Sequence, residues 1–143
     1  MTNIEHGRSS EAHAHVEADA RKLAAPLLRL DLAQELAEVR RGEAYREHGH
    51  NAKTLARYPD LRLVLIALAE GHRIAQHQTK GRVSIHVIEG KVTLKLGAEQ
   101  VELAAGCLLE VAPELAHDVE ALAPSALLLT VAWPAALAGT DAR

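Results

Sequence analysis

Histidine is the residue type through which this chain could do chemistry, and it carries nine of them in 143 residues. Near neutral pH an imidazole can move a proton or ligate a divalent metal. His13 and His15, like His48 and His50, lie two residues apart, a spacing able to capture a metal adventitiously. With His6, they sit in stretches that read as solvated helix. His117 is followed by Asp118 and Glu120, and a carboxylate near an imidazole invites a general-base reading. Adjacent strand residues point apart, however, so Asp118 is not placed to orient its own neighbour. The same alternation turns His86 and Ser84 away from Val83, Ile85 and Val87, and His86 reads as a surface or dimer-interface residue. Cys107 is alone, which excludes an intramolecular disulfide and favours a reducing compartment. With no basic neighbour to favour its thiolate, it reads as a small apolar core residue.

Composition narrows the function classes. The hydrophobic share is 48%, yet the aromatic residues are only Tyr45, Tyr58 and Trp133. The core must be aliphatic, and a pocket has few rings for stacking a base or sugar. A net charge of −3 gives no footprint for nucleic acid. No apolar run approaches the ~20 residues that span a bilayer. The start, Met1-Thr-Asn-Ile-Glu-His6, lacks a basic-then-apolar leader. The expectation is a cytoplasmic protein with no membrane and no nucleic-acid partner.

The elements that must position these residues change character along the chain. From Ser10 to Leu28 the pattern is a weak amphipathic helix or a partly disordered arm. Asp31, with Gln34 three residues later, is a capping start. Leu32, Leu36 and Val39 repeat at helical spacing and Gly42 supplies a stop, so a helix is expected over 32–41. After the turn signal Tyr58-Pro59-Asp60, residues 61–69 read as a strand that is apolar on both faces and so covered on both sides. Gly71, Gly81, Gly90, Gly97 and Gly106 then fall at intervals of seven to ten residues. Strands are expected between and after them at 83–89, 91–96, 101–103, 107–112, 117–121 and 125–133. Lys91, Thr93 and Lys95 alternate with Val92, Leu94 and Leu96, the mark of a half-solvated strand. Even spacing with a glycine at each turn predicts an all-β jelly roll.

From Gly71 onward the spacing resembles the cupin superfamily, whose first motif runs glycine, five residues, His-any-His, three or four residues, Glu, six residues, glycine. Gly71, His77, Thr79, Val83 and Gly90 occupy that frame, with Thr79 in place of the second His and Val83 in place of Glu. The second motif runs glycine, five residues, Pro-any-Gly, two residues, His. Gly106 and His117 occupy it, with Ala112 and Glu114 in place of Pro and Gly. The resemblance covers about residues 61–133. Asn51–Leu55 and His117–Ala121 also look like small uncharacterised bacterial cupins. It implies an all-β, cupin-type double-stranded β-helix (jelly-roll barrel) at 51–134. A short helical, partly disordered N-terminal extension occupies 1–50, and a loose tail 135–143.

Metal-binding cupins point three histidines and a glutamate into the barrel around one divalent ion. Carried over, the resemblance keeps only His77 and His117, a tentative metal pair for Fe, Ni, Cu or Zn completed by water. Glu89 lies six residues beyond Val83, roughly 20 Å along a strand, and His72, five residues before His77, has the wrong parity. The expected function is binding of a small, mostly apolar metabolite around His77 and His117, in a pocket lined by Leu65, Thr79, Val83, Ile85 and Val87. The alternative is a divalent-metal-dependent oxygenase or isomerase with a reduced ligand set. Between them stands a cofactor-free isomerase using the two histidines as acid and base. A homodimer is the expected assembly.

Overall fold

The computed structural model describes residues 23–134. Most of the weak helix read at 10–28 and all of the tail at 135–143 fall outside them. Helix α1 spans Leu32–Arg41, as the capping pattern predicts. The Asp31 carboxylate accepts from the Gln34 N–H at 3.2 Å, and Arg40 and Arg41 close the last turn, where cations complement the helix dipole. Gly42 leaves the helix in an extended conformation. A second short helix, α2 (Glu43–His48), follows within the stretch expected to be helical, though its own bounds were not read. It stops at Gly49, whose φ is +75°. A Cβ there would meet the His72 imidazole at 2.1 Å, so both the turn and the packing demand glycine.

Nine strands follow among the described residues: β1 (His50–Arg57), β2 (Leu61–Leu68), β3 (Arg73–His77), β4 (Arg82–Glu89), β5 (Lys91–Leu96), β6 (Glu99–Ala104), β7 (Leu108–Val111), β8 (His117–Ala121) and β9 (Ser125–Ala132). They form a five-stranded sheet ordered β1-β2-β9-β4-β7 and a four-stranded sheet ordered β3-β8-β5-β6. All the pairings are antiparallel. This is a jelly roll. The barrel core lies between the sheets and is aliphatic, built around Val83, Ile85, Val87, Val92, Leu94, Val119 and Leu127.

The two-sided apolar character of β2 has a direct cause. Its residues Ile66 and Leu68 pack into the barrel. Leu65 and Ala67 lie on the other face, buried with Leu36 and Val39 of α1. The far end of the barrel is tied by Ser125, fully buried. Its hydroxyl accepts from the Lys91 N–H at 3.1 Å and lies 2.7 Å from the Ala123 carbonyl.

Two readings need correction. Thr93 is buried, 6% exposed, so β5 is not evenly half-solvated. It sits mid-sheet opposite Glu102 and Glu120, beneath their longer side chains. Cys107 is exposed, not a core residue. It lies in the turn between β6 and β7, where no second layer covers it.

Candidate functional site

The inward rows of the two sheets meet at one end of the barrel. On the four-stranded sheet, His117 lies opposite Leu96 of β5 and opposite His77 of β3. The His77 pairing depends on a bulge. Ile74 faces Val119 and His77 faces His117, so β3 advances three residues while β8 advances two. On the outward face of β3, the Arg73 guanidinium is paired with Asp118 at 2.5 Å. A bulge that re-aims one position is a common device beside functional sites.

His117 is 1% exposed. Its Nδ1 lies 3.2 Å from the Leu115 carbonyl. A carbonyl can only accept, so Nδ1 is the donor in this contact. The loops above the two histidines are pinned together, since the Glu114 N–H donates to the Thr79 carbonyl at 2.7 Å. Glu114 has φ +64°. Its position is the one that holds glycine in the second cupin motif, so the left-handed turn persists although the residue has changed. Asp118 faces outward beside Arg73 and does not orient His117, as strand alternation requires.

The remaining site expectations divide. Val83, Ile85 and Val87 are buried in the barrel core, in line with His117's side of the sheets. Leu65 is not a barrel-lining residue: it belongs to the cluster beneath α1, because β2 buries both faces and its odd-numbered positions point outward. Thr79 lies beyond the end of β3, and its hydroxyl accepts from the Gly81 N–H at 3.3 Å, which makes it part of the loop at the mouth. Glu89 faces the helix side, paired with Arg40 at 2.8 Å. His72 sits against Gly49. The bulge removes the parity argument against it, but its carbonyl pairs at Ala121, four residues along β8 from His117 and so ~13 Å away. His86 lies on the outer face of β4, the face on which Ser84 donates to Glu110 at 2.5 Å.

Two residues at this end were passed over in the sequence. Arg62 of β2 is opposite Val131, which packs against the barrel core, so its position belongs to the inward row. Trp133 has the same parity as Val131. The Arg62 guanidinium carbon lies 5.5 Å from the centroid of the Trp133 ring, within cation–π range. The signal was present: Arg62, Val64, Ile66 and Leu68 share a period of two, with the charge at the strand's end. The apolar majority of 61–69 masked it.

The donor set does not fit a resident ion of the four-ligand cupin type. Of its four positions only His77 and His117 carry ligating side chains, and stable sites use three or four. Among the described residues no three His, Cys, Asp or Glu side chains converge. A separate cleft of ≈ 510 Å³ lies outside the barrel between residues 23–30, α1 and β1. Three of its ionic groups are engaged with one another, Lys53 lying 2.6 Å from Glu35 and 2.9 Å from Glu38. It is remote from the histidines, and the barrel mouth is the better site on chemical grounds.

No protein-family model and no curated protein matches the sequence. Solved structures do match. A cupin superfamily protein from Desulfitobacterium hafniense superposes with a TM-score of 0.63 at 18% identity, over 79% of this chain and 96% of that one. KdgF from Halomonas sp. gives 0.55 at 26% identity, over 64% of this chain and 87% of its own. Salicylate 1,2-dioxygenase from Pseudoaminobacter salicylatoxidans, in adducts with gentisate, gives 0.69 at 17% identity, over 77% of this chain and 34% of that one. Two antiparallel sheets in jelly-roll order, the two motif frames and these superpositions agree: the chain has a cupin-type fold.

Proposed function

We propose that the protein binds a small, mostly apolar metabolite at the mouth of the barrel, between His77 and His117. The observation that carries this reading is the buried His117, its Nδ1 donating to the Leu115 carbonyl. A buried ring held in one orientation is a defined polar point in an otherwise aliphatic wall. Val83, Ile85 and Val87 supply an aliphatic floor of the kind that small-molecule sites use. The experiment is native mass spectrometry on tag-free protein, with elemental analysis of the same sample, beside a His77→Ala/His117→Ala variant. An organic mass retained by the parent and lost by the variant is expected. Equal retention by both proteins would overturn the site.

The alternative, a divalent-metal oxygenase or isomerase with a reduced ligand set, draws support from the likeness to salicylate 1,2-dioxygenase. It is opposed by Thr79 and Val83 at two of the four ligand positions. Near-stoichiometric metal in the parent and none in the double variant would install it in place of the first reading.

A second copy of the chain is the expected macromolecular partner. Strand β7 is a sheet edge, and Leu108 on it is 61% exposed. Sedimentation as a monomer at micromolar concentration would remove the dimer.

A further inference from the structure

We infer that β7 is the strand through which two copies of the chain pair, edge to edge and antiparallel, so that their five-stranded sheets join into one. This rests on the reading of a second copy as the macromolecular partner and deepens it.

The two sheets leave four edges among the described residues: β1, β7, β3 and β6. An open edge invites a foreign strand unless charge, a bulge or a cover blunts it. Three of the four are blunted. β1 carries a bulge between Thr54 and Ala56, and its Lys53 is paired with Glu35 and Glu38 of α1. β3 is bulged between Ile74 and His77 and bears the Arg73–Asp118 pair. β6 bears Glu99, Gln100 and Glu102, all exposed. β7 differs. It pairs with β4 without a register shift from Leu108 to Val111. Its one charged residue, Glu110, accepts from the Ser84 hydroxyl on its own sheet, and its Leu108 is 61% exposed.

Backbone geometry decides what that edge offers. The Val87 N–H donates to the Cys107 carbonyl at 3.0 Å, and the Val87 carbonyl accepts from the Gly106 N–H at 2.8 Å. In an antiparallel ladder alternate residues turn their amides to the same neighbour. Leu109, opposite Ile85, and Val111, opposite Val83, therefore direct their N–H and carbonyl groups to β4. Leu108 and Glu110 direct theirs away from the sheet, where no further strand lies among the described residues. Both residues are exposed. A second copy fits this edge because a two-fold axis makes an antiparallel strand its own complement. With the axis beside Leu109, Leu108 lies opposite the partner's Glu110, and Glu110 opposite the partner's Leu108. That register meets every outward N–H and carbonyl of both strands. With the axis beside Leu108 instead, Glu110 would face the partner's Gly106, whose N–H is already given to Val87. The Leu108 side chain, on the face it shares with His86, then packs along the methylene stem of the partner's Glu110. The overlap is short, so the dimer is a reversible one.

The test is sedimentation of the full chain, joined to hydrogen exchange at single amides read by mass spectrometry on dilution through the dissociation constant. The parent should sediment as a dimer at micromolar concentration. The Leu108 and Glu110 amides should be protected in the dimer and exchange at least tenfold faster in the monomer, while Leu109 and Val111 stay protected in both. Leu108→Lys, which puts a charge at an exposed position of the edge, should weaken the dimer at least tenfold without lowering the unfolding midpoint of the monomer. A monomer throughout would overturn both the pairing and the reading of a second copy as partner. A dimer whose Leu108 and Glu110 amides exchange as fast as in the monomer would overturn the pairing and leave the dimer standing. Protection of only one of the two amides would overturn the register. The parent alone supplies these readouts, so a poorly folded Leu108→Lys protein does not blunt them.

Discussion

Single positions at the barrel mouth carry geometry that their residue types do not advertise. Glu114 is the clearest case, a non-glycine residue with φ +64° in a turn whose N–H pins the Thr79 carbonyl. The left-handed region costs an L-residue roughly 1–2 kcal/mol, whereas glycine enters it freely at an entropic cost of ~0.5–1 kcal/mol in the unfolded chain. Glu114→Gly is therefore expected to stabilise the protein by up to about 1 kcal/mol, read as a higher urea midpoint at unchanged slope. A lower midpoint would mean that the glutamate side chain makes a contact outweighing the strain. His117 teaches a related lesson. Its place in the motif was legible, but the ring's orientation came from a carbonyl two residues back that no spacing reveals. Arg62 went unread because one charge at the end of an apolar run looks like a strand boundary.

At the scale of elements, α1 was legible because its caps, period and length are local properties. Helix α2 was not, since six residues give too little periodicity to register. The bulge in β3 was equally hidden, because an extra residue shows only against the partner strand. The contact of α1 with β1 makes a prediction about pH. Hydrogen bonds to Glu35 and then Glu38 hold the Lys53 ammonium above its ordinary pKa, and the hydrogen bond from Lys53 holds Glu38 below the usual carboxylate range. The Glu38 contribution is thus in place above an unfolded value of ~4.3 and fades as pH falls through the lower folded value. The Lys53 contribution is in place below ~10.4 and fades as pH rises through the higher folded value. Lys53→Met should lower the melting temperature modestly near pH 7, because exposed pairs are screened by water and salt. The gap to the parent should close at both extremes. A gap that stays constant with pH would assign Lys53 to packing alone.

At the scale of the whole molecule, the five-stranded sheet carries a buried core on each side. Leu94 sits in the barrel core and Leu65 beneath α1, both fully buried. Truncating either to alanine should cost ~2–5 kcal/mol, the range for deleting a buried leucine side chain. The side chains lie on opposite sides of the sheet and share no cluster, so the double variant should be additive within about 0.5 kcal/mol. Chemical denaturation by circular dichroism and by Trp133 fluorescence checks both points. Coincident transitions with additive losses are expected. Separate transitions would show that the helix-side layer unfolds independently of the barrel.

What the sequence determined by itself was the class of fold and most of its strands. Period-two alternation, turn glycines and capping residues act over a few neighbours, and each enforces its element wherever the chain goes. The cupin frame and the positions of His77 and His117 were legible for the same reason. Only the tertiary structure decided which apolar face meets which. It sent Leu65 to the helix and Val83 to the barrel, and set His77 opposite His117 through a bulge. It also set the Arg62 guanidinium 5.5 Å from the Trp133 ring. These outcomes depend on pairing between strands far apart in the chain, where the deciding energy is the burial of one surface against another, and a local pattern carries no record of its partner.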